Sequence, residues 1–400
     1  MSDQPTRWVQ VWIIFAAGLS AGAHICKVPP ALPLLQADLG LTLVQTGFIA
    51  TMFYVMGGIV GVFVGAIVDR YGQKRFALIG LGCLFAGGLF GAFASNYAGL
   101  LGSRFVEGIG FMLFTVAGGP LLAGVTQPHD RPMAFSLWSA YMPTGGALAL
   151  LAAPVALATF GWRSLWLGIA AYTAVIAVLL ARTVPAPRFG GGIGSMRLVA
   201  ESVMRPGSMA LCVVFLSYVG QWSSVMIWLP TFLVGERGMA PSAASLVTAL
   251  YVAINVPGNL AGGWILKRGM ARSKLILVAS GVMALTAAVA FSAGLPDTVR
   301  LACVLAFSLV GGVIPAAVLA GGPVHARSPQ HIGTTQGMIM QGAQLGQFFG
   351  PLFVALAAQR FGGWSASLGV MLAFAALAAA SGWAVGRFEA SAGRIAVAAR

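Results

Sequence analysis

Charged residues are scarce in this sequence. Aspartate, glutamate, lysine and arginine make up 8% of the 400 residues, and only nine residues are acidic, whereas about 25% is usual for a soluble domain. Hydrophobic residues reach 58%, the chain holds 54 glycines, and the mean hydropathy is +0.89. A water-soluble core of this length cannot hide so much apolar surface, so the composition predicts a protein embedded in lipid.

The residues that common chemistries need are also missing. The sequence shows no glycine-rich phosphate loop and no nucleophile paired with a base. The four cysteines fall inside predicted helices without metal-ligand spacing, and we interpret them as small buried apolar residues: Cys26, Cys83, Cys212 and Cys303. We therefore expect neither an enzyme nor an ATP-driven pump, and no cofactor or metal.

Long apolar stretches fill most of the chain. A bilayer core about 30 Å thick needs roughly 20 apolar residues per helix, and twelve such stretches fit. The predicted fold class is an all-α membrane protein with twelve transmembrane helices. The predicted spans are 9–31, 45–68, 76–95, 99–125, 133–159, 162–181, 208–234, 242–266, 275–294, 298–324, 332–358 and 364–387.

A charged turn joins the second and third spans. It reads Gly65-Ala-Ile-Val-Asp69-Arg70-Tyr-Gly72-Gln-Lys74-Arg75. The spacing Gly-x3-Asp-Arg-x-Gly-x-Lys-Arg resembles the signature loop of the major facilitator superfamily, a large family of secondary transporters. The resemblance extends over essentially the whole chain and implies two pseudo-symmetric six-helix bundles with a substrate site between them.

Basic residues are distributed unevenly between the two membrane sides. With both termini on one side, that side receives 17 bases: Arg7, Arg70, Lys74, Arg75, Arg131, Arg182, Arg188, Arg197, Arg205, Lys267, Arg268, Arg272, Lys274, Arg327, Arg387, Arg394 and Arg400. The other side receives four: Arg163, Arg237, Arg300 and Arg360. The positive-inside rule then places both termini in the cytoplasm. Because these bases are scattered over short loops, the net charge of +14 does not predict nucleic-acid binding.

The two halves of the sequence resemble each other. The segment from Phe160 to Gly168 is similar to that from Phe361 to Gly369, and Gly118-Gly-Pro120 is similar to Gly321-Gly-Pro323. Both matches are separated by about 200 residues, as expected for an internal duplication. We therefore predict a bundle at 1–182, a cytoplasmic connection at 183–207, and a second bundle with a short tail at 208–400.

By resemblance, the charged turn has a gating role. Asp69 would hold the start of span 11 when the cytoplasmic side is closed, and would pair with Arg70 or Arg75. The predicted gating residues are Gly65, Asp69, Arg70, Gly72, Lys74 and Arg75. The alternative is a static topological anchor. The loop between spans 8 and 9 carries a decayed copy of the turn, in which Lys267 stands where Asp69 stands in the first copy.

Four ionisable residues fall inside the membrane in the first half. Arg104 and Glu107 in span 4 are three residues apart and share a helix face, while His24 and Lys27 lie in span 1. Glu107 and His24 are the predicted proton-coupling residues; the alternatives are a permanent structural ion pair and a histidine that only packs. Lys27 and Arg104 would leave one positive charge for an anionic substrate at the outer half of the cavity. In the alternative, Lys27 snorkels to the external headgroups.

The second half offers amides and aromatic rings instead of charges. Tyr251, Asn255 and Asn259 form a polar stripe on span 8, which could bind substrate or join helices by hydrogen bonds. The predicted substrate-binding residues are Lys27, Arg104, Tyr141, Gln221, Trp222, Tyr251, Asn255, Gln341 and Gln344.

The expected function is proton-coupled transport of a small organic solute, preferably an anion, by a monomer in the inner plasma membrane. The partners are then the solute, the proton and the lipid bilayer. The segment from Lys27 to Pro33 is similar to that of members carrying small anions, including the cyanate and nitroimidazole branch, most of which would carry arginine in place of Lys27. The alternative is drug or metabolite efflux by proton antiport. That function favours an apolar cavity with a carboxylate placed for cations, but Glu107 is the only deep carboxylate.

Overall fold

The computed structural model describes residues 5–41, 43–186, 201, 204–292, 295–361 and 363–398. Within them the chain forms twelve long helices, which we number α1 to α12. The first six are α1 (Trp8–Cys26 and Val28–Leu39), α2 (Leu43–Tyr71), α3 (Gln73–Ala92), α4 (Tyr97–Val125), α5 (Arg131–Ser139 and Tyr141–Phe160) and α6 (Trp162–Thr183). The second six are α7 (Pro206–Arg237), α8 (Pro241–Ala253 and Asn255–Lys267), α9 (Arg272–Phe291), α10 (Asp297–Gly311 and Val313–His325), α11 (Ile332–Phe361) and α12 (Ser367–Ala398).

Each predicted span corresponds to one of these helices. The helices α1 and α12 run furthest beyond the prediction, to Leu39 and Ala398, because their ends are too polar to be assigned to lipid. Ten helical stretches of the described chain are long and apolar enough to cross a membrane. Most of the predicted connection 183–207 lies outside the described residues.

Four helices are interrupted at a single residue. The interruptions are Lys27 in α1, Ala140 in α5, Ile254 in α8 and Gly312 in α10. A proline follows each of them by three residues, namely Pro30, Pro143, Pro257 and Pro315. Proline lacks the N–H that would bond to the carbonyl four residues earlier, and its ring collides with that carbonyl. The prolines account for the missing helical hydrogen bonds, while the interrupted residues keep right-handed helical backbone angles.

The two halves have matching helix order. Each helix of the second half begins about 200 residues after its counterpart, which agrees with the duplication in the sequence. We call the end of the molecule that holds the α2–α3, α4–α5 and α8–α9 connections the basic end.

The two halves touch closely near the basic end. A Cβ atom on Gly65 of α2 would lie 2.3 Å from the carbonyl oxygen of Gly333 in α11. Likewise, a Cβ atom on Gly263 of α8 would lie 2.1 Å from Ser136 Cβ in α5. Only glycine allows the helices to approach this far, so these positions set the distance between the halves.

Candidate functional site

A cavity of about 80 Å³ lies between the two halves. It is bordered by α1, α4, α5, α7, α8, α10 and α11, and each helix interruption reaches it. Ile25 precedes the interruption of α1, Tyr141 and Asn255 directly follow those of α5 and α8, and Pro315 follows that of α10. The four interruptions therefore lie at the depth of the cavity.

Four of the predicted substrate-binding residues line this cavity. They are Tyr141, Trp222, Asn255 and Gln344. Gln344 is 3% exposed, and its side-chain oxygen has no hydrogen-bond partner among the described residues. Its oxygen is thus available to accept a hydrogen bond from a molecule in the cavity.

Gln341 makes a different contact. Its amide nitrogen donates to the carbonyl of Gly58 at 2.9 Å, and its oxygen accepts from the Val62 N–H at 3.2 Å. Both partners belong to α2, so Gln341 joins the two halves and does not line the cavity. Gln221 also lies away from the lining and donates to the Ser217 carbonyl of its own helix at 3.3 Å.

The polar stripe of α8 mainly joins helices. Asn255 donates to the Tyr218 hydroxyl at 3.0 Å and to the Ser308 carbonyl at 2.7 Å. Tyr251 donates to the carbonyl of Trp222 at 3.0 Å and stacks on its indole with a centroid separation of 5.7 Å. These bonds connect α8 with α7 and α10, so the interhelical interpretation of the stripe accounts for Tyr251, while Asn255 both joins helices and faces the cavity.

The four membrane-embedded ionisable residues of the first half form one cluster, which we call the buried cluster. Glu107 Oε1 lies 2.5 Å from Lys27 Nζ and 2.9 Å from His24 Nδ1, and the other carboxylate oxygen accepts a hydrogen bond from Arg104 Nη1. All four side chains are at most 1% exposed. The predicted pair of Arg104 and Glu107 is therefore present, with Lys27 and His24 added to it.

His24 Nδ1 lies between a donor and an acceptor. Lys27 Nζ lies 3.0 Å from it and can only donate, whereas Glu107 Oε1 lies 2.9 Å from it and can only accept. In the neutral tautomer whose Nδ1 accepts from Lys27, the imidazole proton sits on Nε2 and donates to Thr173 Oγ1 at 3.1 Å. Thr173 in turn donates to the Ile169 carbonyl at 2.7 Å. A protonated Nδ1 donates to Glu107 instead.

Glycines of α3 make room for the buried cluster. A Cβ atom on Gly87 would lie 2.7 Å from Glu107 Cγ, and one on Gly88 would lie 2.9 Å from His24 Cε1. Trp166 of α6 also borders the buried cluster, and its ring centroid lies 4.7 Å from Lys27 Nζ. The charges are thus enclosed by α1, α3, α4 and α6.

Two sequence expectations about Lys27 need correction. Lys27 is 0% exposed and bonded to Glu107, so it does not snorkel to the headgroups. Neither Lys27 nor Arg104 lines the central cavity, because Glu107 draws both cations toward α3 and α6. The excess positive charge therefore lies behind the cavity wall.

Asp69 binds the beginning of α11. Its carboxylate accepts hydrogen bonds from the backbone N–H groups of Gly333 and Thr334 at 2.8 and 2.6 Å, and from the Thr334 hydroxyl at 2.7 Å. The expected pairing with Arg70 or Arg75 is wrong for the described residues: the free N–H groups of the α11 terminus capture the carboxylate. Asp69 lies beyond the predicted span 45–68, and burial raises its pKa to about 7 although the bonds from Thr334 and Gly333 act in the opposite direction.

The second half makes a matching contact with the charges exchanged. Lys267 at the end of α8 lies 3.1 Å from Asp130 Oδ1 at the start of α5. Asp130 also accepts a hydrogen bond from Thr6 Oγ1 at 2.7 Å. The lysine that replaced the aspartate in the second copy of the turn thus meets an aspartate on the opposite half.

The remaining residues of the charged turn have local roles. Gly72 has φ +101°, a conformation that favours glycine and allows the tight turn between α2 and α3. Lys74 donates to the Ala181 carbonyl at the end of α6 at 2.7 Å. The Arg70 guanidinium lies 4.6 Å from the Tyr71 ring centroid, and Arg75 is exposed.

Sequence reasoning missed several residues of the site. On α7, Phe215 and Tyr218 line the cavity together with the predicted Trp222, and the three are spaced three and four residues apart; this helical spacing was a usable signal. Thr173 lies in an apolar stretch and had no recognisable partner in the sequence. Its contact with His24 depends on the packing of α6 against α1.

Comparisons with known proteins agree with this architecture. The model of the family described as the Major Facilitator Superfamily matches residues 11–351. The chain is 25% identical over 312 residues to NiaP of Bacillus subtilis (strain 168), described as a niacin/nicotinamide transporter, which covers 74% of this chain and 75% of that protein. It is 26% identical over 225 residues to the puromycin resistance protein pur8 of Streptomyces alboniger, covering 56% of this chain and 44% of that protein.

A solved structure shows the same fold. The human organic anion transporter MFSD10 (TETRAN) superposes with a TM-score of 0.78 at 15% identity, over 96% of this chain and all of that chain. The likeness establishes twelve helices in two six-helix bundles. On the family match over most of its length, the chain belongs to the major facilitator superfamily and is a multi-pass membrane transporter of small organic solutes, not an enzyme.

Proposed function

We propose that the protein carries a small organic anion together with a proton across the inner membrane by alternating access. The observation that carries this proposal is the charge count of the buried cluster. Lys27 and Arg104 are two cations, and both bind the single carboxylate of Glu107. With neutral His24, one positive charge remains without a partner in a fully buried site.

An unbalanced charge in such a place is costly. Two events remove the imbalance: Lys27 can lose its proton, or an anion can enter the neighbouring cavity. An anion therefore favours the protonated cluster, and the protonated cluster favours the anion, because binding couplings are reciprocal. This coupling needs no direct contact between Lys27 and the substrate.

The cluster also offers a second position for the proton. A proton moved from Lys27 Nζ to His24 Nδ1 across 3.0 Å gives an imidazolium that faces Glu107 Oε1 at 2.9 Å. Thr173 still accepts from His24 Nε2 in that arrangement. We therefore assign proton coupling to Lys27, His24 and Glu107 as a unit.

The cluster and the cavity share a wall. Ile25 lies between His24 and Lys27 in the sequence and lines the cavity. Phe111 lines it too, and its ring centroid lies 5.0 Å from that of Phe53, which in turn lies 4.6 Å from the Arg104 guanidinium carbon. A charge change in the cluster is thus felt in the cavity through these apolar side chains, which screen it weakly.

For gating, we propose that the basic end is cytoplasmic and that the Asp69 contact holds it closed. Asp69 ties α2 to the start of α11 across the two halves, and Lys267 ties α8 to Asp130 of α5. Opening toward the cytoplasm separates these partners. The excess of basic residues at this end supports the orientation.

Efflux by proton antiport is the second candidate. No lysine, arginine, aspartate or glutamate is among the residues that line the cavity, which suits an apolar drug, and one relative is a puromycin resistance protein. Anion uptake is favoured because the nearest buried charges sum to a positive value, which repels a cationic drug.

The test is transport into proteoliposomes with an inside-alkaline pH gradient, using nicotinate, benzoate and glucuronate against the cations ethidium and tetraphenylphosphonium. Carboxylate accumulation above that in protein-free vesicles supports the proposal. Cation movement against the gradient without carboxylate uptake would assign the protein to efflux.

A further inference from the structure

The central cavity is unusually rich in aromatic rings from both halves. Phe111 and Tyr141 belong to the first half, and Phe215, Tyr218 and Trp222 belong to the second. Aromatic faces bind other flat conjugated rings better than saturated groups of equal size. These aromatic side chains therefore favour a flat, conjugated ligand.

The rings of the second half are held in fixed orientations. Phe215 and Tyr218 are nearly parallel, with a centroid separation of 6.3 Å and an interplanar angle of 3°. The Trp222 indole donates to Ser308 Oγ at 3.0 Å and stacks on Tyr251. Rings that are already ordered lose little conformational entropy when they bind a ligand.

The rings of the first half are supported in the same way. The Tyr141 ring lies 4.5 Å from that of Trp138, and Gly18 leaves space for it, since a Cβ atom on Gly18 would lie 2.6 Å from Tyr141 Cβ. Phe111 is supported by Phe53. Each half thus brings an ordered aromatic surface to the cavity.

Two polar atoms complete the site. Gln344 has a buried side-chain oxygen without a partner, which can accept a hydrogen bond. Tyr218 accepts a bond from Asn255, which leaves its own hydroxyl proton free to donate. A ligand that fits has both a donor and an acceptor at its edge.

From this arrangement we infer that the substrate is a planar conjugated carboxylate, aromatic or heteroaromatic, held between the aromatic side chains of the two halves. The carboxylate in this inference rests on the proposed function, and the aromatic ring is the new element. Because the ring contacts both halves, its binding favours their approach and links occupancy to the change of access.

The experiment measures the thermal stabilisation of the purified protein by matched ligands. Benzoate and cyclohexanecarboxylate have the same charge and similar size but differ in planarity, and 4-hydroxybenzoate adds a donor to benzoate. Benzoate is expected to act at about 3- to 10-fold lower concentration than cyclohexanecarboxylate. The hydroxyl of 4-hydroxybenzoate is expected to improve binding further through Gln344.

Substitutions assign the effect to the cavity. Trp222→Leu is expected to abolish the preference for benzoate, while Trp383→Leu, at an exposed tryptophan of α12, is expected to leave it unchanged. If Trp222→Leu does not fold, Gln344→Leu provides the second test, because it should remove only the advantage of 4-hydroxybenzoate.

Two failures are distinguishable. Equal action of benzoate and cyclohexanecarboxylate, or no action of either, would overturn the aromatic inference, and proton-coupled uptake of a non-planar anion such as glucuronate would still support the proposed function. Equal stabilisation by nicotinamide and nicotinate, together with uptake that ignores the pH gradient, would overturn the proposed function while leaving the ring site in place.

Discussion

Lys27 Nζ and Glu107 Oε1 lie 2.5 Å apart, and this contact forms where the regular hydrogen bonding of α1 is broken. The helix α1 is interrupted at Lys27 itself, three residues before Pro30. The interruption places the lysine where α1 passes α4, and the glycines of α3 leave space on the other side. Proline and glycine positions thus build the buried cluster, and its charges supply the coupling.

Removing the Glu107 carboxylate should destabilise the folded protein. Glu107→Gln leaves Lys27 and Arg104 buried without their counter-ion, which costs roughly 3–5 kcal/mol of unfolding free energy. We expect a large fall in the melting temperature of the detergent-solubilised protein. Glu236→Gln, the same change at an exposed site, is the control and should change little. Equal melting temperatures for the two variants would show that the ion pairs do not stabilise the fold.

The space around the cluster can be tested with alanine. In Gly88→Ala the new methyl group would lie 2.9 Å from His24 Cε1, so the ring or α3 must move, at a cost of about 1–3 kcal/mol. Gly82→Ala is the matched control, since nothing lies within 4 Å of that position. Thermal melting and transport should both suffer only in Gly88→Ala. Equal melting temperatures and equal transport in the two variants would show that His24 is not tightly packed against α3.

The Asp69 contact should depend on pH. Its pKa is about 7 when buried against α11, whereas a carboxyl group in water has a pKa of about 4. The closed arrangement therefore binds more protons between these values, so acidification favours it and a rise from about pH 4 to pH 7 weakens it. Above about pH 7 no further change is expected.

Cysteine accessibility reports this equilibrium. Gln336 is fully buried near the start of α11, so Gln336→Cys, in a variant lacking the native cysteines, should be alkylated from the basic end only when the halves separate. Labelling should increase from about pH 5 to pH 7, and Asp69→Asn should remove most of this increase. An identical pH profile in Asp69→Asn would exclude the aspartate as its source.

The two contacts at the basic end should differ in strength. Asp69 is buried and accepts three hydrogen bonds from α11, each worth about 0.5–1.5 kcal/mol. Lys267 is 45% exposed, so its pair with Asp130 contributes about 0.2–1 kcal/mol. Lys267→Asp should thus increase labelling at position 336 only slightly, and adding Asp130→Lys should reverse that increase. A larger effect than that of Asp69→Ala, which removes all three of these hydrogen bonds, would reverse the ranking.

Helix positions were largely predictable from the sequence. Twelve apolar stretches determine the spans, because a bilayer permits few other backbone arrangements. The contact of Asp69 with the start of α11 was expected from the family resemblance, and Tyr141, Trp222, Asn255 and Gln344 line the cavity as predicted.

The sequence did not predict which neighbouring helices the buried charged side chains contact. Arg104 and Glu107 share a helix face, but which neighbour that face meets depends on the rotation of α4 in the bundle. The position of Lys27 along α1 does not show whether its side chain faces the cavity or the interior of the first half. For the same reason, Gln341 looked like a substrate ligand although it joins α11 to α2.

The most direct test of proton coupling by the buried cluster is proton movement driven by an anion. Proteoliposomes with an entrapped pH dye receive an inward gradient of labelled nicotinate or benzoate, and protein-free vesicles give the background from diffusion of the acid. The account predicts internal acidification with carboxylate entry in the unmodified protein, its loss in Lys27→Met, and its retention in Lys274→Met, which removes an exposed lysine. Carboxylate entry without acidification, or equal acidification in Lys27→Met, would contradict the coupling role of the buried cluster, and absence of carboxylate entry would contradict the anion.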